Sequence, residues 1–195
     1  MLDKIGGLPT HVLLIHVVVI LVPLGALMLV ASALWPAARA KLGFLTPAVA
    51  LVALVFVPVT ANAGEYLRDH LGFTNKAIQR HAELGGELLP WAAGVFVLAA
   101  VVWQVGRRRD LVWRRRPQSS SPGGAAGSAG GHGGGGATAT LVRTEPVAVQ
   151  PAAPVWATAV LSVLSVAVAV GAIWQLYRIG DSGAHAVWGG VLKGK

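Results

Sequence analysis

Four uncharged apolar runs dominate the chain, Val12–Trp35, Phe44–Ala63, Leu88–Val105 and Ala152–Tyr177, with the charged residues gathered between them. A bilayer core needs about 20 apolar residues per helix, within a range of about 17–25, so each run is long enough to cross. Backbone groups in hydrocarbon have no water to bond, which makes runs of this length helices. Pro23, Pro47, Pro58 and Pro90 then predict local kinks and not breaks. The short alternating segments of a closed β-barrel do not occur. The predicted fold class is all-α, an integral membrane four-helix bundle with a disordered Gly-rich cytoplasmic loop between the third and fourth helices. It divides into transmembrane helices one to three over residues 1–116, a flexible Gly/Ser/Pro-rich linker over 117–151, and the fourth helix with an outward-facing tail over 152–195.

Composition agrees with a lipid solvent: 54% of the 195 residues are hydrophobic and 12% charged, against about 25% charged in soluble domains. Mean hydropathy is +0.63. The net charge of +8 divides unevenly. Arg39, Lys41, the six arginines of GRRRDLVWRRR and Arg143 oppose only Asp110 and Glu145 on one side; on the other, seven basic residues oppose six acids. The positive-inside rule makes the arginine side cytoplasmic and places both termini outside the plasma membrane. The basicity is therefore a topology signal, with anionic-lipid contact secondary, and no soluble nucleic-acid-binding fold accompanies it.

Several chemistries are excluded. The chain has no cysteine, hence no disulfide, thiolate metal site, cysteine-ligated iron–sulfur cluster or C-x-x-C-H haem attachment. PQSSSPGGAAGSAGGHGGGGATAT reads as a cytoplasmic tether holding a solvated His132; it lacks the G-x-x-x-x-G-K-[ST] pattern of a phosphate loop. The first run is far longer than a signal-peptide core and reads as an uncleaved span.

Polar residues gather near one end of the spans. Counting outward from Trp35, Phe44, Trp103 and Trp156 as a common aromatic floor, His16 stands 19 positions up, Glu65 21, His81 and Arg178 22, His11 24 and Asp181 25. That spread of six positions is about 9 Å, so four helices contribute to one layer near the outer face. Pro58, Asn62, Glu65 and Asp69 share a helical stripe. His81 aligns with Gly85, which is expected to let another helix approach. Asp181 is expected to cap a short interfacial helix carrying Ala184, Val187 and Trp188. His11 and His16 are five residues apart, which separates them by about 140° around a helix and about 7.5 Å along it. One straight helix does not aim both at a single ion.

The segments GLPTHVLLIHVVVILVPLGAL, VTANAGEYL, RHAELGGELLPWA and RIGDSGAHAVW together resemble the actinobacterial branch of the four-span membrane proteins called domain of unknown function 2231. The resemblance covers nearly all of the four spans and omits the tether. It implies an integral membrane location and a four-helix fold, and the joining of some relatives to cytochrome-like or Rieske-like modules points toward redox. Two departures stand out. Relatives usually carry Pro where this chain has Val12, and many carry His at Asp181 with a basic residue at His185.

Two function classes follow. In the first, the layer binds a b-type haem or a transition metal for electron transfer. Neutral imidazole suits Zn, Cu and Fe, and bis-His ligation between helices suits electron transfer. His16 and His81 are the expected ligands, His11 and Glu65 the surrounding cofactor-binding groups, and Asp181 a further metal ligand beside His16 and His81. In the second, the protein is a non-enzymatic structural or accessory subunit whose partners are the bilayer and other membrane or redox proteins. Proton-coupled transport is disfavoured by the lack of an inverted repeat, and hydrolysis by the lack of a nucleophile elbow.

Overall fold

A computed structural model describes residues 4–5, 8–72, 76–114 and 154–188. The expected linker at 117–151, with His132, and the tail after Trp188 lie outside the described residues. A two-residue antiparallel pair, β1 (Lys4–Ile5) with β2 (Leu8–Pro9), precedes six helices: α1 (Thr10–Leu34), α2 (Pro36–Leu42), α3 (Leu45–Leu71), α4 (Lys76–Gly86), α5 (Leu88–Arg114) and α6 (Val155–Trp188). Four helical stretches are long and apolar enough to cross a membrane: α1, Leu45–His70 of α3, Lys76–Arg108 across α4 and α5, and α6. The protein is helical and multi-pass, with lipid as its environment.

The helices outrun the apolar runs that predict them. α3 continues eight residues past Ala63 and α6 eleven past Tyr177. The run ends at the first charge, whereas the helix continues through the interface, where charged side chains reach water while the backbone stays bonded within the helix. α3 stops at Gly72, whose left-handed φ of 64° turns its N–H back onto the Arg68 carbonyl. Pro23 and Pro58 lie inside continuous helices. Pro47 and Pro90 fall in the first turns of α3 and α5, where a missing N–H leaves no intrahelical bond unmade. Two features correct the sequence reading. Pro36 opens the unforeseen short helix α2, and α6 runs unbroken through Asp181 to Trp188, so Asp181 caps no separate helix.

α1 packs on α3 and α6, and α5 packs on the same two neighbours. The shared core takes Val18, Val22, Ala26 and Leu29 from α1, Ala50, Ala53 and Val57 from α3, Leu88, Ala92, Val95, Ala99 and Val102 from α5, and Ala169 and Ala172 from α6. Spacings of three and four put each set on one helix face. Half of these positions are alanine because lipid tails are as apolar as leucine, so close backbone approach, not removal from water, favours helix contact. The larger apolar side chains point outward, with Ile20, Leu27, Val163 and Val170 all more than 60% exposed. The few buried hydroxyls are satisfied: Ser32 and Thr46 bond across α1 and α3 at 3.2 Å, and Ser165 donates to the Leu161 carbonyl at 2.7 Å.

At the arginine-rich end the stem of Arg39 lies against Gly106, Arg107 sits 5.4 Å from the Trp103 ring centre, and Phe44 meets Trp103 edge-on at 5.6 Å. Near the opposite end the Trp91 ring of α5 lies directly on the backbone of Gly171 in α6, where a Cβ has no room. Gly171→Ala is therefore expected to lower the thermal unfolding midpoint in detergent, at a cost of about 1–3 kcal/mol for overpacking. Gly85→Ala, with open space around the new methyl, is expected to leave it unchanged or raise it by helix propensity.

Candidate functional site

At the end opposite Arg39 and Arg107, two histidines occupy matching seats. His11, in the first turn of α1, donates from Nδ1 to the Thr60 carbonyl of α3 at 2.9 Å. A Cβ on Gly64 would stand 2.7 Å from His11 Cε1, 3.0 Å from Nδ1 and 3.3 Å from Nε2. The glycine is required because side chains on a helix tilt toward its N-terminus, so the residue four positions on lies beside the carbonyl it bonds. Gly64 leaves the Thr60 oxygen uncovered, and that oxygen has a second lone pair for the imidazole.

His81 of α4 repeats the arrangement on α6. Its Nδ1 lies 3.1 Å from the Ile179 carbonyl and 3.2 Å from Ser182 Oγ, and a Cβ on Gly183 would stand 3.1 Å from its Cε1. Gly183 follows Ile179 by four positions, as Gly64 follows Thr60. Ser182 spends its own proton on Ile179 at 2.8 Å, and a carbonyl only accepts, so Nδ1 of His81 is the donor. Both imidazoles are half-buried and both carry the proton on Nδ1. When neutral, each therefore presents an Nε2 lone pair.

The other expected residues stand apart from this pair. His16 is exposed and donates from Nδ1 to Val12 of its own helix at 2.7 Å. The structure therefore gives His11 and His81, and not His16, a hydrogen bond to a neighbouring helix. Height along the helix favoured His16, but the rotation between the two histidines turns His11 onto α3 and His16 toward lipid. Glu65, next to Gly64, is exposed on α3. The neighbouring Arg68 pairs with Asp69 at 3.2 Å. Asp181 is exposed, with its carboxylate 3.7 Å from His185 Nδ1. Gly85 has open space around it, so the close approach expected there occurs instead at Gly183. His70 stacks on Tyr66 and shares a 2.9 Å hydrogen bond with its hydroxyl. Among the described residues no three or more His, Asp or Glu groups gather as a metal cage.

Beneath the seats lies a network that sequence reasoning missed. Gln175, 3% exposed, donates from Nε2 to the Leu84 carbonyl at 2.9 Å and to Glu87 Oε2 at 3.1 Å. Arg178 Nη1 donates to Gln175 Oε1 at 3.0 Å and lies 3.5 Å from Glu87. The network ties α6 to the α4–α5 junction, where the last carbonyls of α4 lack partners in their own helix. Gln175 was visible as an amide inside the expected fourth span, which is by default worth explaining. Gly64 and Gly183 carried no such signal, because their role depends on which helix comes to lie against them.

Among known proteins, no family model, no curated protein and no solved structure matches the chain.

If Gly64 exists to seat His11, the two residues are energetically coupled. His11→Ala and Gly64→Ala are each expected to lower unfolding free energy by about 1–3 kcal/mol, through a lost hydrogen bond or a displaced ring. The double variant is expected to cost little more than either alone. Additive losses in a thermal double-mutant cycle would contradict the seat.

Proposed function

We propose that this multi-pass protein holds a redox-active cofactor between His11 and His81, near the outer face of the plasma membrane with both termini outside. The supporting observation is the pinning of both imidazoles by Nδ1–H bonds to backbone carbonyls. Such a bond to the other ring nitrogen fixes the tautomer and orientation of metal-ligating histidines, and it aims an Nε2 lone pair in each ring. The donor set fits neutral imidazole ligation. Because no group of three or more ligands gathers among the described residues, the fit is to a group needing two protein ligands. A b-type haem iron meets that condition, as does a transition-metal ion completed by ligands from outside the chain.

When bound, such a group supplies a one-electron couple. The chain's own part is to hold two ligands on separate helix pairs, α1–α3 and α4–α6. His16, Glu65 and Asp181 take no direct part in this arrangement. The orientation rests on the excess of basic residues at the Arg39 and Arg107 end. The resemblance to domain of unknown function 2231 proteins, some joined to cytochrome-like modules, leans the same way.

A second reading is favoured by the same hydrogen bonds: each joins two helices and contributes about 0.5–1.5 kcal/mol, which suits an accessory subunit whose histidines only fasten the bundle. Absorption spectra of gently purified protein before and after dithionite, with elemental analysis, separate the two. The cofactor reading expects a Soret band with a reduced α band, or a stoichiometric metal, lost in His11→Ala and in His81→Ala and kept in His16→Ala. Neither chromophore nor metal in the native protein would leave the fastening role.

A further inference from the structure

A cavity of about 280 Å³ opens between α4 and α6, adjoining His81, whose partner Ser182 forms part of its lining. Its polar wall is Arg80, Arg178, Asp181, Ser182 and His185, and Leu84 forms an apolar base. It lies at the level where α6 leaves the apolar region. One helical turn away, Trp174 and Tyr177 stack at 5.7 Å and are both more than 60% exposed, as aromatic side chains do at the headgroup level of a bilayer. Below them Val170 and Ile173 present apolar surface outward.

The charges on this wall are mixed. Arg80 and Arg178 supply two cations, and Asp181 supplies an anion near His185. Arg178 is partly balanced by Glu87, and its bonds to Gln175 and Glu87 both use Nη1, one corner of a guanidinium with five N–H donors. A purely anionic ligand would meet the Asp181 carboxylate, and a purely cationic one would meet two guanidinium groups. A zwitterion with a phosphate and an ammonium satisfies both, and the adjoining apolar surface suits acyl chains.

We propose that this cavity binds the headgroup of a phosphoethanolamine lipid, the phosphate between Arg80 and Arg178 and the ammonium on Asp181. The site depends only on the helices lying in a membrane, and not on any cofactor at His11 and His81. Arginine suits the phosphate by its fork of donors. Asp181 selects a primary ammonium because a choline headgroup has no N–H to donate.

Native mass spectrometry of the full chain, loaded with equal phosphatidylethanolamine, phosphatidylcholine and phosphatidylglycerol of matched acyl chains, tests this. Phosphatidylethanolamine is expected to be retained about tenfold over either competitor, the worth of one charge-assisted hydrogen bond. Asp181→Asn is expected to erase the preference over phosphatidylcholine, and Arg80→Ala to lower retention of all three. Both side chains are exposed, so an unchanged unfolding midpoint in each variant certifies the fold. Equal retention of the three lipids by the native protein would overturn the proposal, as would an undiminished preference in Asp181→Asn. Displacement of the lipid by soluble phosphoethanolamine at equal concentration would overturn the assignment to a lipid.

Discussion

Hydrocarbon offers no hydrogen bonds, so a polar group between the two faces of this protein needs its partner within the protein. That constraint makes the spans helical, and it also governs where polar side chains are admitted. Ser32 meets Thr46 across a helix contact, Ser165 bonds back to its own helix at Leu161, and Gln175 reaches the carbonyl of Leu84 where one helix gives way to the next. Among the described residues no buried side-chain polar atom lacks a partner. Small residues make this possible, because backbone carbonyls become usable acceptors only where a neighbouring helix can come close.

The histidine seats are the sharpest case. A helix carbonyl is already engaged by the N–H four residues on, and the side chain at that position covers it. Glycine at 64 and at 183 removes the cover, and an imidazole from another helix takes the second lone pair. The same device on α3 and on α6 brings two rings into one polar layer with the same nitrogen protonated. Packing and chemistry are therefore linked. The bonds that fasten α1 to α3 and α4 to α6 also leave Nε2 unprotonated, with its lone pair free, in both rings when neutral, the state in which histidine serves as a ligand.

Much of the architecture was legible in the sequence because it rests on length and apolarity. The four runs foretold four spans, and the helices outrun them most where charged residues such as Arg68 and Arg178 continue a helix through the interface. The site was less legible. Position along each span correctly collected His11, His81, Gln175's neighbour Arg178 and Asp181 near one end of the molecule, since rise per residue is fixed. Rotation about each axis was not recoverable from height, and rotation decides that His11 faces α3 while His16 faces outward. The close approach at Gly64 and Gly183 depends on a partner residue more than 45 positions away in one case and about 100 in the other, which no local pattern encodes.

The central claim is that His11 and His81 are held as Nδ1-protonated imidazoles with Nε2 bare. Nitrogen-15 NMR of histidine-labelled protein in lipid, with its six histidines assigned by single substitution, reports this directly. At neutral pH and without added cofactor, the account predicts a protonated Nδ1 and an unprotonated Nε2 for both residues, with the Nδ1 signal of His11 shifted by Gly64→Ala. Protonation at Nε2, or rapid averaging between the two tautomers at either histidine, would contradict it.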